Sequence, residues 1–412
     1  MFTPELLSPA GSLKALRLAF AYGADAVYAG QPRYSLRVRN NEFDLATLEM
    51  GINEAHALGK KLYVVVNIAP HNSKLKSFIA DMAPVVALKP DALIVSDPGV
   101  VYLLKQHFPQ LPLHLSVQAN TVNWAAVKFW QAQGVERVIL SRELAVEEIA
   151  EIRAQVPDMQ LEVFVHGALC MAYSGRCLLS GYINKRDPNQ GACTNSCRWP
   201  YQVHSAVEDE VGQFKPISTP ALLEEQGRPG ELMAIDEDLH GTYILNSKDL
   251  RAIEHVPALT AMGVHSLKIE GRTKSPYYVA RTAQVYRQAI DDAAAGKAFN
   301  PNLLSELDGM ANRGFTEGFL RRHKPQETQN YATSHSVGEQ LLVGEFIGEQ
   351  DSEAFALLEV KNQFAVGDQL ILMIAAANRA DPTVEDGTPA ALLYGQRMTT
   401  ELDRLFPAAP DV

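Results

Sequence analysis

The chain lacks several things that would classify it quickly. It has no long apolar run: the longest, Leu370–Ala377, falls far short of the roughly 20 residues a membrane-crossing helix needs. No membrane partner is expected. Its first residues, Met1-Phe2-Thr3-Pro4-Glu5, lack a basic segment followed by an apolar stretch. No signal peptide is therefore expected, and the expected compartment is the cytoplasm. Cysteine is scarce, with four in 412 residues, too few for a disulfide scaffold. An excess of positive charge is also missing. The net charge is -11, which at first argues against a nucleic-acid partner. What is present is apolar content of 47%, enough for one large domain and a smaller one.

The charge is unevenly placed. Residues Tyr331–Val412 carry 13 Asp/Glu against 4 Lys/Arg, so this segment alone holds -9. The remaining 330 residues hold only -2. An acidic tail and a nearly neutral body read as two domains.

A unit recurs through the body: a turn, a short β-branched apolar run, a polar residue, then a helical stretch. It reads Gly23-Ala-Asp-Ala-Val-Tyr-Ala-Gly30, Gly59-Lys-Lys-Leu-Tyr-Val-Val-Val-Asn67, Pro90-Asp-Ala-Leu-Ile-Val-Ser96, Gly134-Val-Glu-Arg-Val-Ile-Leu-Ser141 and Gly263-Val-His-Ser-Leu-Lys-Ile-Glu270. Such runs suit strands buried on both faces. With Glu5–Ser8, Leu113–Gln118 and Leu161–Val165 the count is eight. Helices are expected between them, among them Leu13–Tyr22 and Tyr278–Ala295, the second stopped by Gly296. Alternating strands and helices imply a parallel sheet. The expected fold class is α/β, a (β/α)8 TIM-like barrel over residues 1–324. The alternative, an open doubly wound sheet, lacks its Gly-x-Gly-x-x-Gly crevice motif here.

Two stretches interrupt the rhythm. A Cys-rich insert, 167–235, follows the strand ending at Val165, and its part Val207–Gly230 reads as an irregular excursion. Residues 325–335 read as a linker. Beyond it, 336–412 reads as a small acidic β-domain, a β-barrel or sandwich. Its expected strands are Leu341–Phe346, Ala354–Val360 and Gln369–Ile374, with Val366-Gly-Asp368 as a turn.

All four cysteines fall in the insert, spaced Cys170-x6-Cys177-x15-Cys193-x3-Cys197. In a reducing compartment such a cluster reads as a metal site. Four thiolates suit tetrahedral zinc or an iron–sulfur cluster. Structural zinc favours two close pairs, and only the second pair is close, so the spacing favours a cluster with zinc as the alternative. Arg176, Lys185, Arg186 and Arg198 would offset the thiolate charge. The plain reading is four unrelated buried cysteines.

The stretch Glu162-Val-Phe-Val-His166-Gly-Ala-Leu-Cys170-Met-Ala-Tyr-Ser-Gly-Arg-Cys177 resembles the signature of the collagenase-like peptidase family U32. Glu5-Leu-Leu-Ser-Pro-Ala-Gly11, Leu245-Asn-Ser-Lys-Asp-Leu250 and Ile269-Glu-Gly-Arg272 fit the same family. Gly30–Phe43 and Ser180–Gly191 resemble its tRNA-hydroxylating members. The resemblance implies a barrel protein that makes 5-hydroxyuridine at the wobble position of tRNA, dependent on prephenate and on iron–sulfur assembly. It implies a cluster, 4Fe-4S in type, on Cys170, Cys177, Cys193 and Cys197. It leaves the electron donor unidentified.

The family name also raises proteolysis as an alternative. The chain has neither His-Glu-x-x-His nor Gly-x-Ser-x-Gly. The remaining hydrolytic candidate is His166 with Cys170, and metal binding by Cys170 removes its nucleophile. A third alternative is a non-catalytic RNA-binding barrel with structural zinc. As an expected catalytic residue, His166 sits at a strand's carboxyl end, where it could shuttle protons; the plain reading is a structural histidine. Glu270 is the second expected catalytic residue, and with Arg272 it could equally form a rim ion pair.

Substrate-binding candidates follow strand ends. Arg33, Arg37 and Arg39 follow the second strand, Arg272 and Lys274 the eighth, and Arg176 and Arg198 lie in the insert. In a barrel these loops share one face, able to bind RNA phosphate or a small dicarboxylate. Tyr28, Tyr34, Tyr173 and Trp199 are candidate stacking surfaces for a splayed base. Asn67, Gln118, Asn120 and Asn123 could hydrogen-bond a substrate, or Gln118, Asn120 and Asn123 could cap the next helix. Arg313, Arg321, Arg322 and His323 form a further basic run suited to RNA backbone. For every loop arginine the plain reading is pairing with local acids.

Overall fold

The computed structural model describes residues 2–31, 33–36, 41–170, 172–180, 185–198 and 247–321. It also describes the strand segments 205–208, 214–217, 222–224, 232–234, 237–238 and 241–242 of the insert. In the C-terminal part it describes 340–346, 358–364, 369–374 and 391–396.

Eight parallel strands close a barrel. They are β1 (Glu5–Pro9), β2 (Ala26–Gly30), β3 (Lys61–Val66), β4 (Ala92–Val95), β5 (Leu113–Leu115), β6 (Arg137–Ile139), β7 (Gln160–Ala168) and β8 (Ser266–Ile269). Each pairs with the next, β7 pairs with β8, and β8 returns to β1, so no barrel edge is left open. These are the eight segments read from the sequence.

A helix follows each strand: α1 (Leu13–Ala21), α2 (Leu45–Ala57), α3 (Asn72–Ala87), α4 (Pro98–His107), α5 (Trp124–Ala132), α6 (Val146–Gln155), α7 (Val256–Met262) and α8 (Pro276–Ala294). Local chemistry starts them. Ser12, Asp44, Asp97, Asn123 and Ser275 each accept a first-turn backbone N–H of α1, α2, α4, α5 and α8. Asn123 is thus a cap. Helix α8 begins two residues before the expected Tyr278 because Ser275 caps it and Pro276 pre-sets its first turn. Gly296 takes the left-handed conformation just past its end. Fully buried Leu16 and Leu18 of α1 and Tyr286 and Ile290 of α8 pack on the barrel. Burying one such side chain contributes roughly 1.5–3 kcal/mol.

Three features depart from the expected plan. Part of the excursion Val207–Gly230 is paired: Ser205–Glu208 with Phe214–Ile217, and Leu222–Glu224 with Leu232–Ala234. A short strand, Asp249–Arg251, adds antiparallel to the end of β7 and carries Phe315–Thr316 on its other side. The expected small β-barrel is, among the described residues, one four-stranded antiparallel sheet. Its order is Leu358–Val360, Leu341–Phe346, Ala391–Gln396, Gln369–Ile374, including a fourth strand not read from the sequence. Tyr22, the C-cap of α1, donates to the Met373 carbonyl at 3.1 Å, fixing this sheet against the barrel's helical layer. The expected linker 325–335 and the turn at 366–368 lie outside the described residues. Among the described residues no helix is long and apolar enough to cross a membrane.

Candidate functional site

Side chains alternate along each strand, so every second residue enters the barrel. The lower interior is charged. Arg137 of β6 donates to Glu5 Oε1 at 2.5 Å and to Glu162 Oε2 at 3.2 Å. Lys268 Nζ donates to Glu162 Oε1 at 2.8 Å, and Tyr63 donates to Glu5 at 2.7 Å. Burial works to raise the Glu5 carboxyl, but Arg137, Tyr63 and Lys61 outweigh it and hold it below its ordinary value. Burial lowers the Lys268 ammonium, against the opposing pull of Glu162.

Above this layer, at the carboxyl end of the strands, lies a cavity of about 380 Å³. Tyr28, Asn67, Gln118, Glu270 and Arg272 line it from the barrel, and Arg176 and Tyr173 from the insert. All four cysteines, Cys170, Cys177, Cys193 and Cys197, line the same cavity. The insert therefore closes over the mouth, where barrel proteins place their chemistry.

Two glycines make this closure possible. Gly175 has φ +75°, and a Cβ there would lie 2.2 Å from the Gln118 carbonyl oxygen, so the insert can touch the loop after β5 only with glycine. Gly167 has φ +107°, and a Cβ there would meet the Glu270 carbonyl oxygen at 2.5 Å. A backbone bond adds to the anchoring, Ala69 N–H donating to Asn189 O at 3.0 Å, and within the insert the Asn189 side-chain amide donates to Cys177 O at 3.0 Å.

The donor set is suited to a metal centre. Cys193 Sγ accepts from the Asn195 backbone N–H at 3.4 Å and from the Ser180 hydroxyl at 3.9 Å, and faces Asn195 Oδ1 at 3.8 Å. Among the described residues four cations, Arg142, Arg176, Lys268 and Arg272, line the cavity against one carboxylate, Glu270. Among the described residues no three His, Cys, Asp or Glu side chains converge at the spacing of a single-ion site.

The structure sorts the remaining candidates. His166 is not among the cavity-lining residues. The β7–β8 register slips there: Phe164 pairs with Lys268 and His166 with Ile269, leaving Val165 as an extra residue. Such a bulge reverses the alternation, and His166 faces outward. Its ring packs on Tyr278, Tyr286 and Phe315, at 5.8, 5.4 and 5.6 Å. Burial pushes its pKa down to about 3, so it is neutral at physiological pH. The imidazole is thus packed among aromatic rings, while Cys170 lines the cavity.

Tyr34 is also displaced from the expected site. It is fully buried, its hydroxyl donates to Asp81 of α3, and its ring meets Phe78 edge-on at 5.1 Å. Arg33 pairs with the same Asp81 at 2.6 Å on the surface. Asn120 accepts from the Ser141 hydroxyl at 2.9 Å and does not line the cavity. Of the expected basic run, Arg313 is buried on Asp249 and Arg321 pairs with Glu317 at 2.9 Å. Arg37, Arg39, Trp199, Arg322 and His323 lie outside the described residues, as does the side chain of Arg198.

Sequence reasoning missed Arg142 and Lys268. Arg142 packs its guanidinium 4.1 Å over the Phe164 ring and donates to the Ala168 carbonyl at 2.6 Å. It follows β6, as Arg33 follows β2, so the same loop rule points to it. Lys268 shares the inward parity of Glu270, and a lysine inside an apolar strand was the available signal.

A closed (β/α)8 barrel with a four-cysteine insert over its mouth defines the class. The chain belongs to peptidase family U32, whose sequence profile matches residues 11–330. It is 66% identical over 398 residues to the tRNA hydroxylation protein P of Escherichia coli (strain K12), covering 92% of this chain and 88% of that protein. It is 62% identical over 400 residues to the protein of the same name in Haemophilus influenzae, covering 92% and 87%. It is also 34% identical over 420 residues to a 23S rRNA 5-hydroxycytidine synthase of Escherichia coli (strain K12), covering 98% of this chain and 58% of that protein.

Proposed function

We propose that this protein hydroxylates tRNA, forming 5-hydroxyuridine at the wobble position with prephenate as co-substrate, in the cytoplasm. The observation that carries the reading is the gathering of four cysteines and four cations around one cavity at the barrel mouth. The names of the relatives supply the reaction class: tRNA hydroxylation in two, and 5-hydroxycytidine synthesis in rRNA in the third.

Cys170, Cys177, Cys193 and Cys197 would hold an iron–sulfur cluster of the 4Fe-4S type. When bound, the cluster supplies electron transfer beside the substrate. Tyr28 and Tyr173 offer ring faces for a splayed base, and Asn67 and Gln118 offer hydrogen bonds to its edges. Arg176 and Arg272 bind anionic oxygen. Glu270, the carboxylate among the described lining residues, is the group assigned to general acid–base work in this reading.

The test is mass spectrometry of tRNA from cells lacking the protein. Loss of wobble 5-hydroxyuridine, restored by the wild-type chain, is expected. Survival of the mark where no second enzyme makes it contradicts the reading.

A further inference from the structure

We propose that Lys268 anchors the carboxylate of a small anionic co-substrate on the cavity floor; the inference rests on the reading that such a co-substrate is used. Lys268 is 3% exposed and lines the cavity from β8. An ammonium has three N–H donors. Among the described residues the hydrogen-bond acceptor of Lys268 is Glu162 Oε1, at 2.8 Å. Two ring faces lie close by, Tyr28 at 4.4 Å and Phe164 at 5.4 Å, and Arg272 and Arg137 add like charge. Ring faces attract a cation without taking the place of an oxygen acceptor. A buried ammonium with donors to spare is costly, and an oxygen anion from the cavity relieves that cost.

Glu162 does not belong to Lys268 alone. Its other oxygen accepts from Arg137, which also holds Glu5, and Glu5 faces Lys61 at 3.6 Å. Two carboxylates thus meet three cations, and the group carries spare positive charge. The walls add Arg142, Arg176 and Arg272 against Glu270. Depth selects the ligand. Lys268 lies on the strand itself, below arginines on the loops beyond the strand ends, within reach of a small acid rather than a polynucleotide backbone. A volume of about 380 Å³ is that of a small-molecule pocket.

The experiment titrates the full-length protein with prephenate by calorimetry and with tRNA in a separate binding assay. K268M is expected to weaken prephenate binding at least about tenfold while tRNA affinity stays within about twofold. The double variant K268M/E162Q removes the two buried charges together and guards against misfolding. It is expected to melt cooperatively and show the same loss. Prephenate binding within about twofold of wild type in the folded variants overturns the anchor and leaves the co-substrate reading standing. Failure of the wild-type protein to bind prephenate overturns that reading, and the anchor with it.

Discussion

The two ends of the barrel interior use the same residue types for different ends. On the lower level Arg137 bonds to both Glu5 and Glu162, and Arg137 and Glu162 are almost wholly withdrawn from water. At the mouth, Arg142, Arg176, Arg272 and Glu270 face a cavity together with four cysteines. Below, charge is answered by charge inside the protein; above, it lines a cavity. Lys268 lies on the boundary, bonded downward to Glu162 and open upward to the cavity.

The largest expected effect breaks the upper end. Replacing Cys193 by Ala should abolish bound iron and sulfide and reduce tRNA hydroxylation to background, with the barrel still folded. Metal analysis, tRNA mass spectrometry and circular dichroism together check this. The next breaks the lower end. Glu162→Ala leaves Lys268 without its acceptor and strips Arg137 of one carboxylate. It should destabilise the fold by about 3–5 kcal/mol, read by denaturant unfolding.

A third prediction separates structure from catalysis at His166. Its folded pKa, about 3, lies below the ordinary 6.5. The unfolded chain therefore binds the proton more readily. Its contribution to stability is complete above pH 6.5 and is lost as pH falls towards 3. His166→Phe, among Tyr278, Tyr286 and Phe315, should flatten that part of the acid-stability curve and keep hydroxylation. Loss of activity in a stable His166→Phe protein returns the residue to the mechanism. The smallest effect belongs to the surface. Arg33→Ala, which loses an exposed pair with Asp81, should change stability by less than about 1 kcal/mol and leave hydroxylation near wild type.

The barrel was legible because every strand is a short apolar run and five of its helices start at a side-chain cap. The cavity was legible in part. Loop position brought Asn67, Gln118, Glu270 and Arg272 together, and clustering brought the cysteines. Direction was not legible where the backbone departs from regularity. One extra residue at Val165 turns His166 outward, and periodicity alone carries no mark of it. Tyr34 was lost to the site because its partner, Asp81, lies on α3, 47 residues away. Glu162 and Lys268 were hidden by the opposite error: an apolar run was read as apolar on both faces, while its inward positions held ions.

The most direct test of the central claim is metal analysis of protein purified under nitrogen, with iron, sulfide and zinc measured beside the visible spectrum. Iron and sulfide are expected in equal amounts, near four of each per chain for a 4Fe-4S cluster, with the broad visible absorption of an iron–sulfur centre. Stoichiometric zinc without iron or sulfide would contradict it.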